Sequence, residues 1–244
     1  MASATVRRRS RTVPRDPERN GVPLLQNGDR LSVGEFERRY EAMPELKKAE
    51  LIEGVVYMSS AVRIAVHGKQ HAQMVTWLGY YVAFTPGVDP GDNSSLQLII
   101  GANRPQPDAL LRIVPLQGGQ TRTTKKGYVR GAPELVGEVT ASTASYDLHD
   151  KLGAYQRNGV REYVVWRVED KAIDWFILHG TKFRRMPKDK DGVYRSRIFP
   201  GLWLDAQALI DGDLQKVLRV VQDGIQSEEH QKFVDRLAAR KGKA

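Results

Sequence analysis

The sequence predicts an α/β or α+β fold, with a mixed central β-sheet flanked by helices, an additional β-meander and C-terminal helices. Three observations predict it. Short apolar runs of strand length alternate with amphipathic helical segments along the chain. The composition is that of a globular protein, with 41% hydrophobic and 27% charged residues. No internal repeat of solenoid or propeller period is present, so we expect one core.

The chain of 244 residues divides into a disordered basic arm (1–28), a sheet-based domain (29–212), and C-terminal amphipathic helices with a basic tail (213–244). The arm is polar and shows no periodicity. The net charge of +9 lies mostly at the two ends, since residues 1–20 and 230–244 each carry +4. Residues 21–229 therefore carry only +1, and net basicity is weak evidence for a nucleic-acid-binding body.

Several classes of protein are excluded by what the sequence lacks. The absence of cysteine excludes disulfides, thiolate metal sites and a cysteine nucleophile. No apolar run reaches the roughly 20 residues of a membrane span, and no apolar segment follows the basic start, so we expect a soluble, cytoplasmic protein without a membrane partner. Phosphate-binding glycine loops and the nucleophile-elbow motif are also absent. His67 and His71 have the spacing of a zinc-protease motif but lack its glutamate.

Local signals define the elements of the N-terminal half. Ser32, with Glu35 three residues later, predicts the capping box of a short helix. The β-branched run 50–60 predicts a strand, or a hairpin around Gly54. Apolar residues at helical spacing predict a helix over 67–84.

The second half begins with strands and ends with helices. A helix over 148–160, ended near Gly159, separates two sets of predicted strands. We expect the later strand pair to continue as a meander through 193–199, before two amphipathic helices. The predicted strands are 95–100, 108–114 and 134–140 before the helix, then 161–169 and 172–180.

Two acidic residues are notable because each belongs to an apolar predicted strand. Asp108 opens the strand 108–114, and Glu138 lies within 134–140. Carboxylates on neighbouring strands can hold a divalent cation such as Mg²⁺, and Lys151 on the following helix can stabilise phosphoryl charge or orient a water. The alternative is a structural role for these charges, and the spacing leaves both readings open.

The order of these motifs resembles the Uma-two family of endonucleases. The resemblance covers residues 30–205 and is carried by the segments ELIEGVVYMSSA, PDALLRI and PELVGEVTASTASYDLHDKLGAYQRNGVREYVVW. It implies a restriction-endonuclease-like fold of the PD-(D/E)xK type, with the nuclease domain over 29–212.

The resemblance also implies roles for individual residues. It maps the first catalytic acid onto Asp108 and the second onto Glu138. Thr140 stands where the usual lysine would be, but the family places its lysine on the following helix, which fits Lys151. Glu50 resembles the family's upstream acid, which would add a carboxylate or orient a water.

The implied activity is hydrolysis of DNA phosphodiester bonds with Mg²⁺, or Mn²⁺ as the alternative. The ion would be held by Asp108, Glu138 and the Val139 carbonyl oxygen. His67 resembles a family histidine and Tyr155 could orient the lysine, so both are accessory candidates. Their alternatives are a helix-cap or interface histidine and a core tyrosine.

Binding partners are predicted from the basic segments. We expect contacts to the DNA backbone from the loop cations Arg122, Lys125, Lys126 and Arg130, and from the later strand residues Lys182, Arg184 and Arg185. A solvated charged face is the alternative. Double-strand cutting usually needs two active sites, which implies a homodimer. The rival function is a non-catalytic nucleic-acid-binding or self-assembling module on the same fold, with the C-terminal helices either at a dimer interface or packed on the sheet.

Overall fold

The computed structural model describes residues 18–19, 21–58, 67–140 and 147–241. Most of the predicted arm (1–17 and 20) and the end of the basic tail (242–244) lie outside the described residues. The described N-terminal elements are β1 (Glu18–Arg19), β2 (Val22–Pro23), α1 (Val33–Glu41), β3 (Ala49–Ile52), β4 (Val55–Met58) and α2 (Lys69–Ala83).

The local sequence explains how α1 and the hairpin β3–β4 form. The hydroxyl of Ser32 accepts a hydrogen bond from the Glu35 N–H at 3.3 Å, which caps α1. The hairpin turns at Glu53 and Gly54, whose φ angles are 52° and 78°. Glycine adopts this left-handed region without steric cost, so it fixes the position of the turn. The Ser32 cap and the hairpin are confirmed, whereas the Glu35 carboxylate of the predicted capping box accepts from Arg38 and Arg39 instead.

The remaining elements follow the predicted alternation of strands and helices. A π-helical turn, Asp147–Lys151, leads into the helix α3. In chain order they are β5 (Val88–Asp92), β6 (Leu96–Gln97), β7 (Ala109–Ile113), β8 (Arg122–Thr123), β9 (Val129–Arg130), β10 (Leu135–Thr140), α3 (Leu152–Asn158), β11 (Glu162–Arg167), β12 (Ala172–His179), β13 (Lys182–Arg185), β14 (Val193–Arg195), β15 (Trp203–Asp205), α4 (Ala206–Asp211), α5 (Leu214–Ile225) and α6 (Glu228–Lys241).

The central sheet has six strands in the order β13-β12-β11-β10-β7-β5. Only the pair β10–β11 is parallel among them, and the other neighbours are antiparallel. A parallel pair needs a crossover, and the chain between β10 and β11 supplies it with α3. This helix ends at Gly159, whose φ is 84°. The predicted fold class is confirmed.

Both faces of the sheet are buried, and residue alternation along the strands separates them. Leu111 and Val164 belong to a core shared with α2 and the C-terminal helices. Their neighbours Leu110 and Val165 belong to a second core, which also contains Tyr155 of α3. A strand residue in this sheet therefore faces either the α2 side or the α3 side.

Two strand predictions were wrong in extent or pairing. The run 95–100 forms only the short β6, which pairs with β9 rather than with the central sheet. The segment 193–199 does not extend the meander, because β14 pairs with β15 in a separate two-stranded sheet. Pro187, two residues after β13, lacks an N–H and cannot continue the ladder.

The C-terminal helices pack on the sheet. Val217 and Val221 of α5 and Phe233 and Leu237 of α6 are buried in the core of the α2 side. Of the two alternatives for these helices, packing within the chain is the one observed. Within the described part of the chain, no helix is both long and apolar enough to cross a membrane.

Candidate active site

The sheet register places Asp108 and Glu138 opposite each other. Strands β7 and β10 are antiparallel, with Ala109 opposite Gly137. One more step in this register sets Asp108 against Glu138, where β7 begins and β10 continues. The Val139 N–H donates to Asp108 Oδ2 over 2.9 Å. The N–H and C=O groups of a strand residue point toward the same neighbouring strand. The Val139 carbonyl therefore points toward β7 and Asp108, as its N–H does.

Glu50 supplies a third buried carboxylate from the hairpin. Two backbone hydrogen bonds between Leu51 and Arg104, of 2.7 and 3.2 Å, attach β3 to the segment that leads into β7. Glu50 Oε1 then accepts the Gln106 N–H at 2.7 Å. The docking of the hairpin therefore places the Glu50 carboxylate against the backbone of Gln106, two residues before Asp108 in the chain.

Lys151 joins Glu50 to Glu138. Its Nζ lies 3.1 Å from Glu50 Oε1 and 3.0 Å from Glu138 Oε1. Tyr155, one helical turn later, donates its hydroxyl to the same Glu138 oxygen at 3.0 Å. All four side chains are buried. The structure thus brings together four residues that the sequence singled out.

Lys48 is a member of the site that sequence reasoning missed. Its Nζ lies 2.9 Å from Asp108 Oδ1 and 3.4 Å from Asn93 Oδ1. Its side chain is 22% exposed, against 4% for Lys151. A signal was available, because Lys48 precedes Glu50 by two residues and strand alternation places such residues on one face.

Two histidines near the start of α2 complete the surroundings of Asp108. His67 Nε2 lies 3.2 Å from Asp108 Oδ2, and its buried Nδ1 has no hydrogen-bond partner among the described residues. His71 Nε2 lies 3.0 Å from the Asp108 backbone oxygen and 2.9 Å from Asp92 Oδ1. His67, an accessory candidate from the sequence, therefore lies next to Asp108. His71, which the sequence presented only as part of an incomplete zinc-protease motif, adjoins the same acid.

The charges in this cluster stabilise one another. Burial raises the pKa of Asp108, but the hydrogen bond from His67 and the charge of Lys48 outweigh it, so the pKa lies below its ordinary value. Burial lowers the pKa of Lys48, whereas the carboxylates, Asp108 first, raise it and prevail. Burial and Glu138 raise the pKa of Tyr155 well above its ordinary value, so the hydroxyl remains a donor.

The donor set suits a hard divalent cation, although the geometry is not that of a preformed metal site. No group of three histidine, aspartate or glutamate side chains in the described ranges is arranged to hold a metal ion. Asp108, Glu138 and the Val139 carbonyl nevertheless offer the oxygen ligands that Mg²⁺ and Mn²⁺ prefer. The Lys48 ammonium lies against Asp108. The residues therefore fit such an ion if Lys48 moves aside.

Two of the predicted DNA-contacting cations lie toward the other end of β7. Arg122 of β8 and Arg130 of β9 are directly opposite each other. Thr123, next to Arg122, accepts a hydrogen bond from Arg112. Arg112 is four residues along β7 from Asp108, which corresponds to about 13 Å of extended strand. The structure does not bring these two arginines into contact with the described carboxylate cluster.

The other predicted cations also have partners away from the cluster or face solvent. Lys126 forms an ion pair with Glu41 at the end of α1, at 2.6 Å, and Lys125 is exposed. Arg185 of the edge strand β13 pairs with Asp174. Its neighbours on that strand, which are exposed, are Lys182 and Arg184.

Comparisons with known proteins define first the fold and then the family. The chain is similar to the crystal structure of "a putative nuclease belonging to DUF820" from Anabaena variabilis ATCC 29413, with a TM-score of 0.53 and 13% identity. The match covers 74% of this chain and 99% of that chain, and it shows that the two chains share a fold. The Uma2 family model, described as "Putative restriction endonuclease", matches residues 33–207. The chain belongs to the Uma2 family, which confirms the resemblance seen in the sequence. No curated protein matches it.

Proposed function

We propose that this protein is a metal-dependent endonuclease that hydrolyses DNA phosphodiester bonds. The observation that carries the proposal is the convergence of Glu50, Asp108 and Glu138 with Lys151 where β7 begins beside β10. Buried charges are costly, and a cluster of this kind is typical of a site that uses them. The description of the Uma2 family supports a nucleic acid as the substrate class.

Asp108, Glu138 and the Val139 carbonyl would hold Mg²⁺, with Mn²⁺ as the alternative. Such a cation, when bound, lowers the pKa of a water molecule and polarises the phosphate. Glu50 assists by accepting hydrogen bonds at the edge of the cluster and by holding Lys151, with which it is in contact. His67 fixes the orientation of the Asp108 carboxylate through its hydrogen bond.

In the hydrolysis, a water molecule loses a proton to the solvent and its oxygen forms a bond to phosphorus. The bond from phosphorus to the leaving sugar oxygen breaks, and that oxygen takes up a proton from the solvent. Lys151, held between Glu50 and Glu138, orients the attacking water or stabilises the charge that develops on the phosphoryl group. Tyr155 keeps the Glu138 carboxylate in place by donating its hydroxyl hydrogen.

Contacts to the rest of the DNA involve residues outside this cluster. We assign phosphate contacts to Arg122, Lys125, Lys126 and Arg130, with further contacts from β13. Such contacts position a duplex without reading its sequence. A homodimer would present two sites to the two strands, and its mass in light scattering would test that assignment.

Cleavage of a supercoiled plasmid in Mg²⁺ tests the proposal. We expect Asp108→Ala and Lys151→Ala to lower the rate by about 10²-fold or more, because each removes a group that acts in the transition state. Asp235→Asn is the control, since it removes an exposed acid on α6 and should cleave like the wild type. Undiminished cleavage in both site variants would contradict the assignment. DNA binding without cleavage by the wild type would favour the non-catalytic module.

A further inference from the structure

Lys48 and the other hydrogen-bond donors around Asp108 contact different oxygens of its carboxylate. Asp108 Oδ2 is contacted by His67 Nε2 and by the Val139 N–H, at 3.2 and 2.9 Å. Asp108 Oδ1 is contacted by Lys48 Nζ, at 2.9 Å. A metal ion approaching Asp108 Oδ1 would therefore meet a lysine ammonium rather than a fixed backbone donor.

The two lysines of the site differ in how firmly they are held. Lys151 is 4% exposed and lies within 3.1 Å of both Glu50 and Glu138. Lys48 is 22% exposed and, among the described residues, its Nζ lies within 3 Å of one carboxylate, that of Asp108. Removing Lys151 from its place would break two buried ion pairs, which costs far more than breaking one that reaches solvent. Lys48 is therefore the lysine that can move toward an arriving phosphate.

The balance of charge favours such a movement. The three carboxyl groups of Glu50, Asp108 and Glu138 are accompanied by two ammonium groups, those of Lys48 and Lys151. A divalent cation on Asp108 would add two positive charges next to Lys48, and like charges a few ångströms apart repel. A phosphodiester brings a negative charge to the solvent side, where it offers the displaced ammonium a new partner.

We propose that Lys48 is a second catalytic lysine, which occupies Asp108 until a divalent cation binds there and then contacts the scissile phosphate. This inference rests on the proposed nuclease function. It predicts two opposite effects, because Lys48 competes with the cation and yet supports cleavage. A lysine with only a structural role would not oppose metal binding.

Three variants and one control separate these roles. Lys48→Met keeps the length of the side chain and removes its charge, whereas Lys48→Arg keeps the charge. Lys48→Gln is a second neutral variant, which can still donate a hydrogen bond to Asp108. Lys47→Met is the matched control, because Lys47 is the exposed neighbour of Lys48. Mn²⁺ binding is measured by calorimetry without DNA, plasmid cleavage is measured in parallel, and thermal unfolding without metal verifies the fold.

The neutral variant should bind the metal better and cleave worse. We expect Lys48→Met to bind Mn²⁺ roughly tenfold more tightly than the wild type, because a charge-assisted contact no longer competes. We expect its cleavage to be roughly 10²-fold slower. Lys48→Arg should bind Mn²⁺ like the wild type and retain part of the cleavage, and Lys47→Met should match the wild type in both assays.

The role of Lys48 would be overturned if Lys48→Met bound Mn²⁺ no more tightly than the wild type, or if it cleaved DNA at the wild-type rate. Lys48→Gln provides the same comparison if Lys48→Met does not fold. A wild-type protein that binds no Mn²⁺ at millimolar concentration would overturn the proposed metal site and this inference together. A wild-type protein that binds and cleaves, with Lys48→Met behaving like Lys47→Met, would overturn the inference alone.

Discussion

Glu138 of β10 and Lys151, the last residue of the π-helical turn before α3, form a buried ion pair, with Oε1 and Nζ 3.0 Å apart. Neither side chain is more than 4% exposed. A charge in this position depends on its partner, because a carboxylate left alone in the protein interior is strongly unfavourable. The same pair is both a structural element and the centre of the proposed active site.

Lys151→Met should therefore destabilise the protein. It leaves Glu138 and Glu50 without their shared ammonium, and we expect the free energy of unfolding at pH 7 to fall by about 3–5 kcal/mol. Urea unfolding of the wild type and the variant measures this difference.

The double variant Lys151→Met/Glu138→Gln provides the control for that measurement. It removes one of the two uncompensated carboxylates, so it should be more stable at pH 7 than Lys151→Met alone. A loss below about 1 kcal/mol in Lys151→Met would contradict the buried ion pair.

Tyr155→Phe tests the hydrogen bond that holds Glu138. We expect a loss of stability of about 1–2 kcal/mol, since the hydroxyl donates to a buried carboxylate oxygen. Tyr155 positions Glu138 and does not touch the substrate in our account, so kcat should fall while KM stays constant. Tyr194→Phe is the matched control. It removes a buried hydroxyl that donates to the Ile173 carbonyl, in the core of the α2 side. Equal cleavage by both variants would exclude a positioning role for Tyr155.

Glu162 should make the stability of the protein depend on pH near neutrality. Its carboxyl group accepts hydrogen bonds from the Ser196 hydroxyl and from the N–H groups of Arg197 and Ile198. Burial nevertheless raises its pKa from 4.5 to about 7. The folded state therefore binds more protons than the unfolded state between these values, and stability falls as the pH rises through this window.

The effect of Glu162 is measured against Glu162→Gln by urea unfolding from pH 4 to 8. As the pH rises from 4.5 to about 7, we expect the wild type to lose stability relative to the variant by up to about 1.4 kcal/mol per pH unit. Below pH 4.5, the difference in stability between the two proteins should be constant. A difference that does not change with pH would show that Glu162 titrates in the folded protein as it does in the unfolded chain.

The loop arginines should contribute to the salt dependence of DNA binding. We expect Arg122→Gln/Arg130→Gln to reduce the slope of log K against log salt by about 2, because each phosphate contact releases about one counterion. Arg219→Gln, on the exposed face of α5, is the control and should leave the slope unchanged. An unchanged slope in the double variant would place the phosphate contacts elsewhere on the protein.

The parts of the fold and site that the sequence predicted are those that depend on local patterns. Apolar strand runs made Asp108 and Glu138 recognisable as exceptions, and Gly54 and Gly159 marked a turn and a helix end because of their backbone conformations. Lys151 stood out as the basic residue on the helix that follows, and the resemblance to a family supported its choice. That assignment agrees with the observed ion pair, although the catalytic role of the residue is still a prediction.

What the sequence did not predict depends on how distant segments dock. Lys48 reaches Asp108 only because the hairpin β3–β4 attaches to the chain at Arg104. The segment after β13 leaves the meander where Pro187 interrupts pairing, and Glu162 binds the N–H groups of 197–198 instead. No local periodicity encodes these contacts, which join residues far apart in the chain.

The proposed metal-dependent active site is tested most directly by measuring Mn²⁺ binding and plasmid cleavage on the same preparations of the wild type and Glu138→Gln. The variant keeps the size of the side chain and an oxygen that can accept from Lys151 and Tyr155, so its fold should be retained. We expect the wild type to bind Mn²⁺ and to cleave, and Glu138→Gln to lose both, with cleavage reduced by about 10²-fold or more. Cleavage by Glu138→Gln at the wild-type rate would contradict the proposed active site.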